Sequence, residues 1–116
     1  MLFRSAWLSE ADLDYYTQEF SRTGFRGGLN WYRNLRRNWE LGGPWRGQPI
    51  RQPSLFIAGE RDGVLRFPAA QAQLDAYPKT LPGLRGSHIL SGAGHWVQQE
   101  RPDDVNRLLI EFVRGL

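Results

Sequence analysis

The apolar run Ser54–Gly59 most narrows the folds open to this chain, because it is short and lies directly after Pro53. Such a run is typical of a strand buried on both faces of a parallel sheet, and it suits a helix poorly. The elements predicted after it alternate in type, being a helix at Ala69–Tyr77 ended by Pro78, a strand at Ser87–Leu90, and a helix from Pro102 to Gly115. This order predicts an α/β fold with helices on the faces of a parallel sheet. Two parallel strands are not stable alone, so we expect partner strands from outside these residues.

The first half of the chain contains helical patterns and no predicted strand. Ser9 is placed to cap a helix whose apolar side chains recur at helical spacing, and a second helix is predicted over Leu29–Trp39. Glycine and proline then crowd into Gly42–Pro53, where neither a helical nor a strand period can be sustained. We therefore predict a linker there, a helical segment over 1–49 and an α/β segment over 50–116.

The composition excludes several classes of site. The chain has no cysteine, which excludes a disulfide framework and a thiolate zinc site, and with only 2 histidines we predict no metal or other cofactor. We predict no membrane span and no secretory signal, and expect a cytoplasmic protein. The net charge is +3, with arginines among aromatic residues in Arg22–Arg51. That pattern is typical of a stacking surface for single-stranded nucleic acid, but it equally describes an amphipathic helix packed by its aromatic face. We therefore predict no nucleic-acid partner.

Two candidate catalytic side chains follow the two predicted strands. Asp62 lies in the loop after the first strand and His95 in the loop after the second. Because parallel strands end at one edge of the sheet, the carboxylate can orient the imidazole so that its other nitrogen accepts a proton. No Gly-x-Ser-x-Gly nucleophile motif is present, and we expect the nucleophile to precede Met1. His88, predicted at a strand start and so at the opposite edge, is assigned a structural role.

Two segments carry a resemblance to a known family. The segment Gly92–Pro102, GAGHWVQQERP, looks like the histidine loop and final helix of many α/β-hydrolases. The segment Ser21–Asn34, SRTGFRGGLNWYRN, resembles the second half of the cap of soluble epoxide hydrolases. The resemblance extends along essentially the whole chain. It implies that 1–49 is the carboxyl-terminal part of a helical cap and that 50–116 is the end of an α/β-hydrolase core.

The resemblance also implies a reaction and roles for individual residues. A family enzyme attacks an epoxide with an aspartate, and histidine then activates water to hydrolyse the ester to a diol. One of the family's two epoxide-binding tyrosines falls on Tyr32, and Asp62 would orient His95. The resemblance further assigns an apolar substrate pocket, whose candidate residues are Val64, Trp96 and Trp31, although Trp31 would also suit packing between cap and core.

Several parts of such an enzyme have no counterpart in these residues, namely the nucleophile, the oxyanion loop, most of the sheet and half of the cap. We therefore expect that the amino-terminal remainder is needed for a complete fold and that this chain alone hydrolyses no epoxide. Substrate identity beyond a small apolar epoxide, and the oligomeric state, stay open. The alternatives are a haloalkane dehalogenase-like enzyme, which would hold a halide with N–H donors, and a non-catalytic binding fragment.

Overall fold

A computed structural model describes residues 6–116 and divides the chain into two compact units. The first unit ends at Arg46 and the second spans Gly47–Leu116. The predicted segment 1–49 begins before the described residues, and 1–5 lie outside them. Between residues 6 and 116, no helix combines the length and apolar character that crossing a membrane requires.

Helix α1, Glu10–Thr23, opens the first unit and confirms the predicted helix after Ser9. The Ser9 hydroxyl accepts from the Asp12 N–H at 3.2 Å, and the Asp12 carboxylate accepts from the Ser9 N–H at 3.0 Å. This reciprocal pair satisfies two backbone donors that a helix start otherwise leaves without partners. The helix ends at Gly24, where φ is +67° and the N–H donates to the Phe20 carbonyl.

The helical segment predicted over about Leu29–Trp39 is confirmed as helical, but it is divided between two helices. Helix α2 spans Arg26–Arg33 and helix α3 spans Leu35–Leu41, with a break at Asn34. The Asn34 side-chain amide donates to the Asn30 carbonyl at 2.8 Å, and its backbone N–H donates to the same oxygen at 3.2 Å. Asparagine is a weak helix former whose side chain bonds nearby backbone, and here it shares one carbonyl with its own N–H at the break. A short 3-10 helix, Gly43–Trp45, follows inside the predicted linker.

The second unit contains the predicted parallel sheet. Strand β1, Ser54–Gly59, pairs in parallel with strand β2, Leu84–Leu90, which starts before the predicted Ser87. Only Ala58 and Gly59 of β1 are buried, rather than the whole strand. Within the part of the chain described, the sheet has two strands, so its faces are covered only in part.

Helices flank both strands of the second unit. Helix α4, Pro68–Thr80, continues past Pro78, so the prediction that proline ends it is wrong. Pro78 lies in the last turn of the helix. The Thr80 hydroxyl there donates to the Ala76 carbonyl, and the Leu81 N–H donates to the Tyr77 carbonyl. Helix α6, Pro102–Arg114, has the predicted start and ends at Gly115. The core is small, and its buried apolar members are Ala58, Ala93, Val105 and Leu108.

Candidate active site

The carboxyl ends of β1 and β2 open into two loops that lie against each other. The acid loop, which we define as residues 60–63, follows β1, and the histidine loop, residues 91–96, follows β2 and leads into the short helix α5, Val97–Glu100. In parallel sheets this edge collects ligand-binding and catalytic groups, because every strand delivers a loop to it.

Asp62 and His95 are joined across these loops. The Asp62 Oδ2 atom lies 3.0 Å from Nδ1 of His95, and Oδ1 accepts from the Val64 N–H at 2.8 Å. The Asp62 side chain is only 12% exposed, whereas that of His95 is 57% exposed. The carboxylate is therefore largely enclosed by these residues, while more than half of the His95 side chain stays accessible.

The charge state of Asp62 sets the tautomer of the imidazole. The Val64 N–H lowers the pKa of Asp62, burial opposes that shift, and the hydrogen bond and charge of His95 lower the pKa further. At neutral pH the carboxylate is ionised and can only accept, so Nδ1 of His95 must carry a hydrogen. The other nitrogen, Nε2, then presents a lone pair when the ring is neutral, as a general base requires.

Consecutive residues of the acid loop bond the histidine loop. The Glu60 carboxylate accepts from the Ser91 hydroxyl and the Gly92 N–H, both at 2.9 Å. These two donors lower the pKa of Glu60 and keep it ionised at neutral pH. The Arg61 N–H donates to the Ala93 carbonyl at 2.8 Å. Together with the Asp62–His95 contact, these bonds connect the two loops along their length.

Gly59 permits this close approach of the loops. A Cβ atom built there would lie 2.2 Å from the Gly94 carbonyl oxygen and 2.4 Å from that of Ala93. Both atoms belong to backbone, which cannot swing aside as a flexible side chain would. Any larger residue at the end of β1 therefore has to displace the histidine loop.

Glu100 is a contributor to the site that the sequence interpretation missed. Its Oε2 accepts from the Gly94 N–H at 2.7 Å and its Oε1 from the Trp96 N–H at 3.1 Å. The sequence signal was a carboxylate at the fourth and last residue of a short helix, close to amides at the helix start that need acceptors. Recognising it required knowing that α5 turns back onto the histidine loop.

The other predicted site residues fall into two groups. Val64 and Trp96 lie at the two loops, and the Trp96 ring meets His95 edge to face at 5.1 Å between centroids. Tyr32 and Trp31 lie on α2 of the first unit, where they are 73% and 78% exposed.

His88 does not lie at a strand start as predicted, because β2 begins earlier. It stands within β2, opposite Ile57, and lines a cavity of about 320 Å³ beside α6 with Leu55 and Leu108. Of the residues that the structure describes, no three His, Asp or Glu side chains are grouped to hold a metal ion.

Comparison with known proteins gives a consistent result. No protein-family model matches the chain. It is 50% identical over 111 residues to epoxide hydrolase A of Mycobacterium tuberculosis, covering 96% of this chain and 33% of that protein. The solved structure of an epoxide hydrolase from an endophytic Streptomyces superposes with a TM-score of 0.91 at 57% identity, over 96% of this chain and 33% of that one. Potato (Solanum tuberosum) epoxide hydrolase I gives a TM-score of 0.89 at 41% identity, over 96% and 35%. The chain thus spans about a third of the length of these relatives.

Proposed function

Because this chain is a carboxyl-terminal part of an α/β-hydrolase similar to epoxide hydrolases, we propose that it supplies the acid and the base of an epoxide-hydrolysing site. The observation that carries the proposal is the 3.0 Å contact between Asp62 and His95 at the carboxyl edge of the parallel sheet. An ionised carboxylate on Nδ1 leaves Nε2 as the basic nitrogen, which is the arrangement that activation of water needs.

The proposed reaction has two steps. In the first, an aspartate carboxylate from the rest of the enzyme attacks an epoxide carbon, forming a C–O ester bond as the ring C–O bond breaks. The ring oxygen takes a proton from a phenol and becomes a hydroxyl. In the second, Nε2 of His95 removes a proton from water, and the hydroxide attacks the ester carbonyl. The acyl C–O bond breaks, the alkoxide takes the proton of the new carboxylic acid to complete the diol, and the aspartate carboxylate is regenerated. The proton held by His95 passes through water to the phenolate left by the first step, so that both groups return to their starting state.

Tyr32 is the proposed phenol donor of this chain. A phenol is neutral at pH 7 and donates a hydrogen bond to the oxygen on which negative charge develops, without first losing its own proton. Tyr32 lies on α2, which carries exposed aromatic residues. We assign α2 and the rest of the first unit to a cap. Val64 and Trp96, which follow the two strands, are proposed to supply apolar pocket surface, as a small apolar epoxide requires, and Trp31 on α2 is proposed as a third pocket residue.

The remainder of the enzyme is proposed to supply the nucleophile and the other strands. In the described part of the chain, the two strands leave most apolar side chains of β1 half-exposed, and few residues are buried. A parallel sheet of this kind normally has both faces and both edges covered. We therefore assign the second unit to the end of a hydrolase core and expect no epoxide turnover from the chain alone.

A chimera tests the proposal directly. This chain would replace the matching third of the Streptomyces epoxide hydrolase, and the purified chimera would be incubated with styrene oxide. We expect a diol product. In the His95→Gln chimera we expect an ester that persists, visible in the intact mass as addition of one epoxide. We expect Tyr32→Phe to slow ester formation by roughly 10²-fold, while the matched control Tyr15→Phe on α1 leaves it unchanged.

Three results would contradict the proposal. A folded chimera that forms no diol would show that these residues do not complete the site. Unchanged turnover in both His95→Gln and Tyr32→Phe would remove the assigned roles. Release of halide from 1-chlorobutane without diol formation from styrene oxide would favour a dehalogenase-like function instead.

A further inference from the structure

The histidine loop is held by a carboxylate that takes no part in the proposed reaction steps. From its contacts we infer that Glu100 is a positioning residue for His95, an inference that rests on the proposed function. Its two oxygens accept from the N–H groups of Gly94 and Trp96, the residues directly before and after His95 in the chain. One side chain therefore fixes the backbone on both sides of the base.

Both oxygens of the Glu100 side chain serve as acceptors. Each oxygen accepts one N–H, at 2.7 Å for Gly94 and 3.1 Å for Trp96. Hydrogen bonds to a charged acceptor are roughly twice as strong as neutral ones. A glutamine has one acceptor oxygen, and its NH₂ group would meet the second N–H donor to donor. The Glu100→Gln variant therefore keeps one bond, loses the other and keeps the side-chain volume.

The space around Gly94 offers a second way to disturb the same contact. A Cβ atom at this position would lie 2.9 Å from Oε1 and 3.2 Å from Oε2 of Glu100. Gly94 is not among the glycines with positive φ, so an alanine would be strained there through this contact and not through its backbone. The Gly94→Ala variant thus displaces the carboxylate without changing Glu100 itself.

The bonds to Glu100 and to Asp62 act on different parts of His95. Asp62 binds the ring at Nδ1, and Glu100 binds the peptide groups that place the Cα atom. If the backbone shifts, Nε2 moves relative to the ester even when the Asp62 contact survives. Misplacement of a catalytic group by about 1 Å costs up to about 10²-fold in rate. Loss of the Glu100 bonds should therefore slow the step that uses His95, which is ester hydrolysis.

The experiment measures the two steps separately in the chimera. We expect Glu100→Gln to slow hydrolysis of the ester about 10- to 100-fold. Ester formation should stay within about twofold of the parent, so that ester accumulates and KM falls together with kcat. Glu111→Gln on α6 is the matched control, because the exposed Glu111 carboxylate bonds Arg107 on the same helix and lies outside both loops. It should change neither step.

A double-mutant cycle keeps the test valid if one variant folds poorly. Gly94→Ala should slow ester hydrolysis as Glu100→Gln does, and should have little further effect in a Glu100→Ala background, where the space is free. Full additivity of the two changes, or an equal slowing of both steps in Glu100→Gln, would overturn the positioning role. If the unaltered chimera forms no diol, the proposed function fails first and for a different reason.

Discussion

Replacing Asp62 with asparagine isolates the effect of the carboxylate on the histidine tautomer. The amide oxygen can still accept from the Val64 N–H, which Oδ1 now binds at 2.8 Å. The amide NH₂ then faces Nδ1 of His95, where Oδ2 now stands at 3.0 Å. Nδ1 has to accept, so the ring hydrogen moves to Nε2 and the basic lone pair is lost from the nitrogen that should activate water.

The magnitude follows from what the substitution keeps and what it loses. The bond to the Val64 N–H is retained, so the side chain stays in place and the loss comes from the tautomer of the ring. The same change in a serine protease triad lowers kcat by about 10⁴-fold, equivalent to ~5 kcal/mol of barrier. We expect ester hydrolysis in the chimera to fall on the order of 10³- to 10⁴-fold, with ester formation retained.

The assay is rapid quenching of the chimera after mixing with styrene oxide, with the ester measured by intact mass. Asp75→Asn is the matched control, because Asp75 is an exposed residue of α4 whose carboxylate accepts from the Gln71 side chain, away from both loops. An Asp62→Asn variant that hydrolyses the ester within about tenfold of the parent would refute the tautomer argument.

Three further predictions concern stability. The pKa of Asp62 is lower in the folded state, so this carboxylate stabilises the fold above its unfolded pKa, and that contribution is lost as the pH falls through the folded pKa. The free energies of urea unfolding of the parent and Asp62→Ala chimeras should therefore differ at pH 7 and converge as the pH falls below about 4. Gly59→Ala should destabilise the chimera by about 1–3 kcal/mol and impair diol formation, because its Cβ meets two carbonyl oxygens, whereas Gly63→Ala, with open space around it, should do neither. Ser9→Ala should lower the free energy of unfolding by about 1 kcal/mol through loss of the helix cap, measured against Ser21→Ala.

The elements that the sequence predicted are those with strong local signals at their ends. β1 is bounded by Pro53 and glycine, α6 begins at a proline and ends before Gly115, and α1 starts after a capping serine. The meeting of Asp62 with His95 also followed from chain order, since parallel strands deliver their loops to one edge.

The features that escaped prediction depend on specific side-chain bonds. At the break, the Asn34 side chain and its own N–H both donate to the Asn30 carbonyl, and the presence of an asparagine alone does not reveal which carbonyl it reaches. The free-energy cost of a proline depends on its place in the helix, and Pro78 is tolerated because it lies in the last turn of α4. The hydrogen bonds from Glu100 to the histidine loop require α5 to fold back onto that loop. A helix of four residues is too short for any sequence periodicity to predict this.

The ladder of bonds between the loops has a consequence for insertions and deletions. Successive residues of the acid loop bond successive parts of the histidine loop, namely Glu60, Arg61 and Asp62. One added or removed residue in either loop would therefore misalign all of these hydrogen bonds at once. Ile50 donates to the Thr80 carbonyl and the Gln52 carbonyl packs closely on Gly83, but residues 47–49, among those described, make no hydrogen bond to either loop. Libraries that vary length to alter substrate range should therefore place their changes there and leave the residue count of both loops untouched.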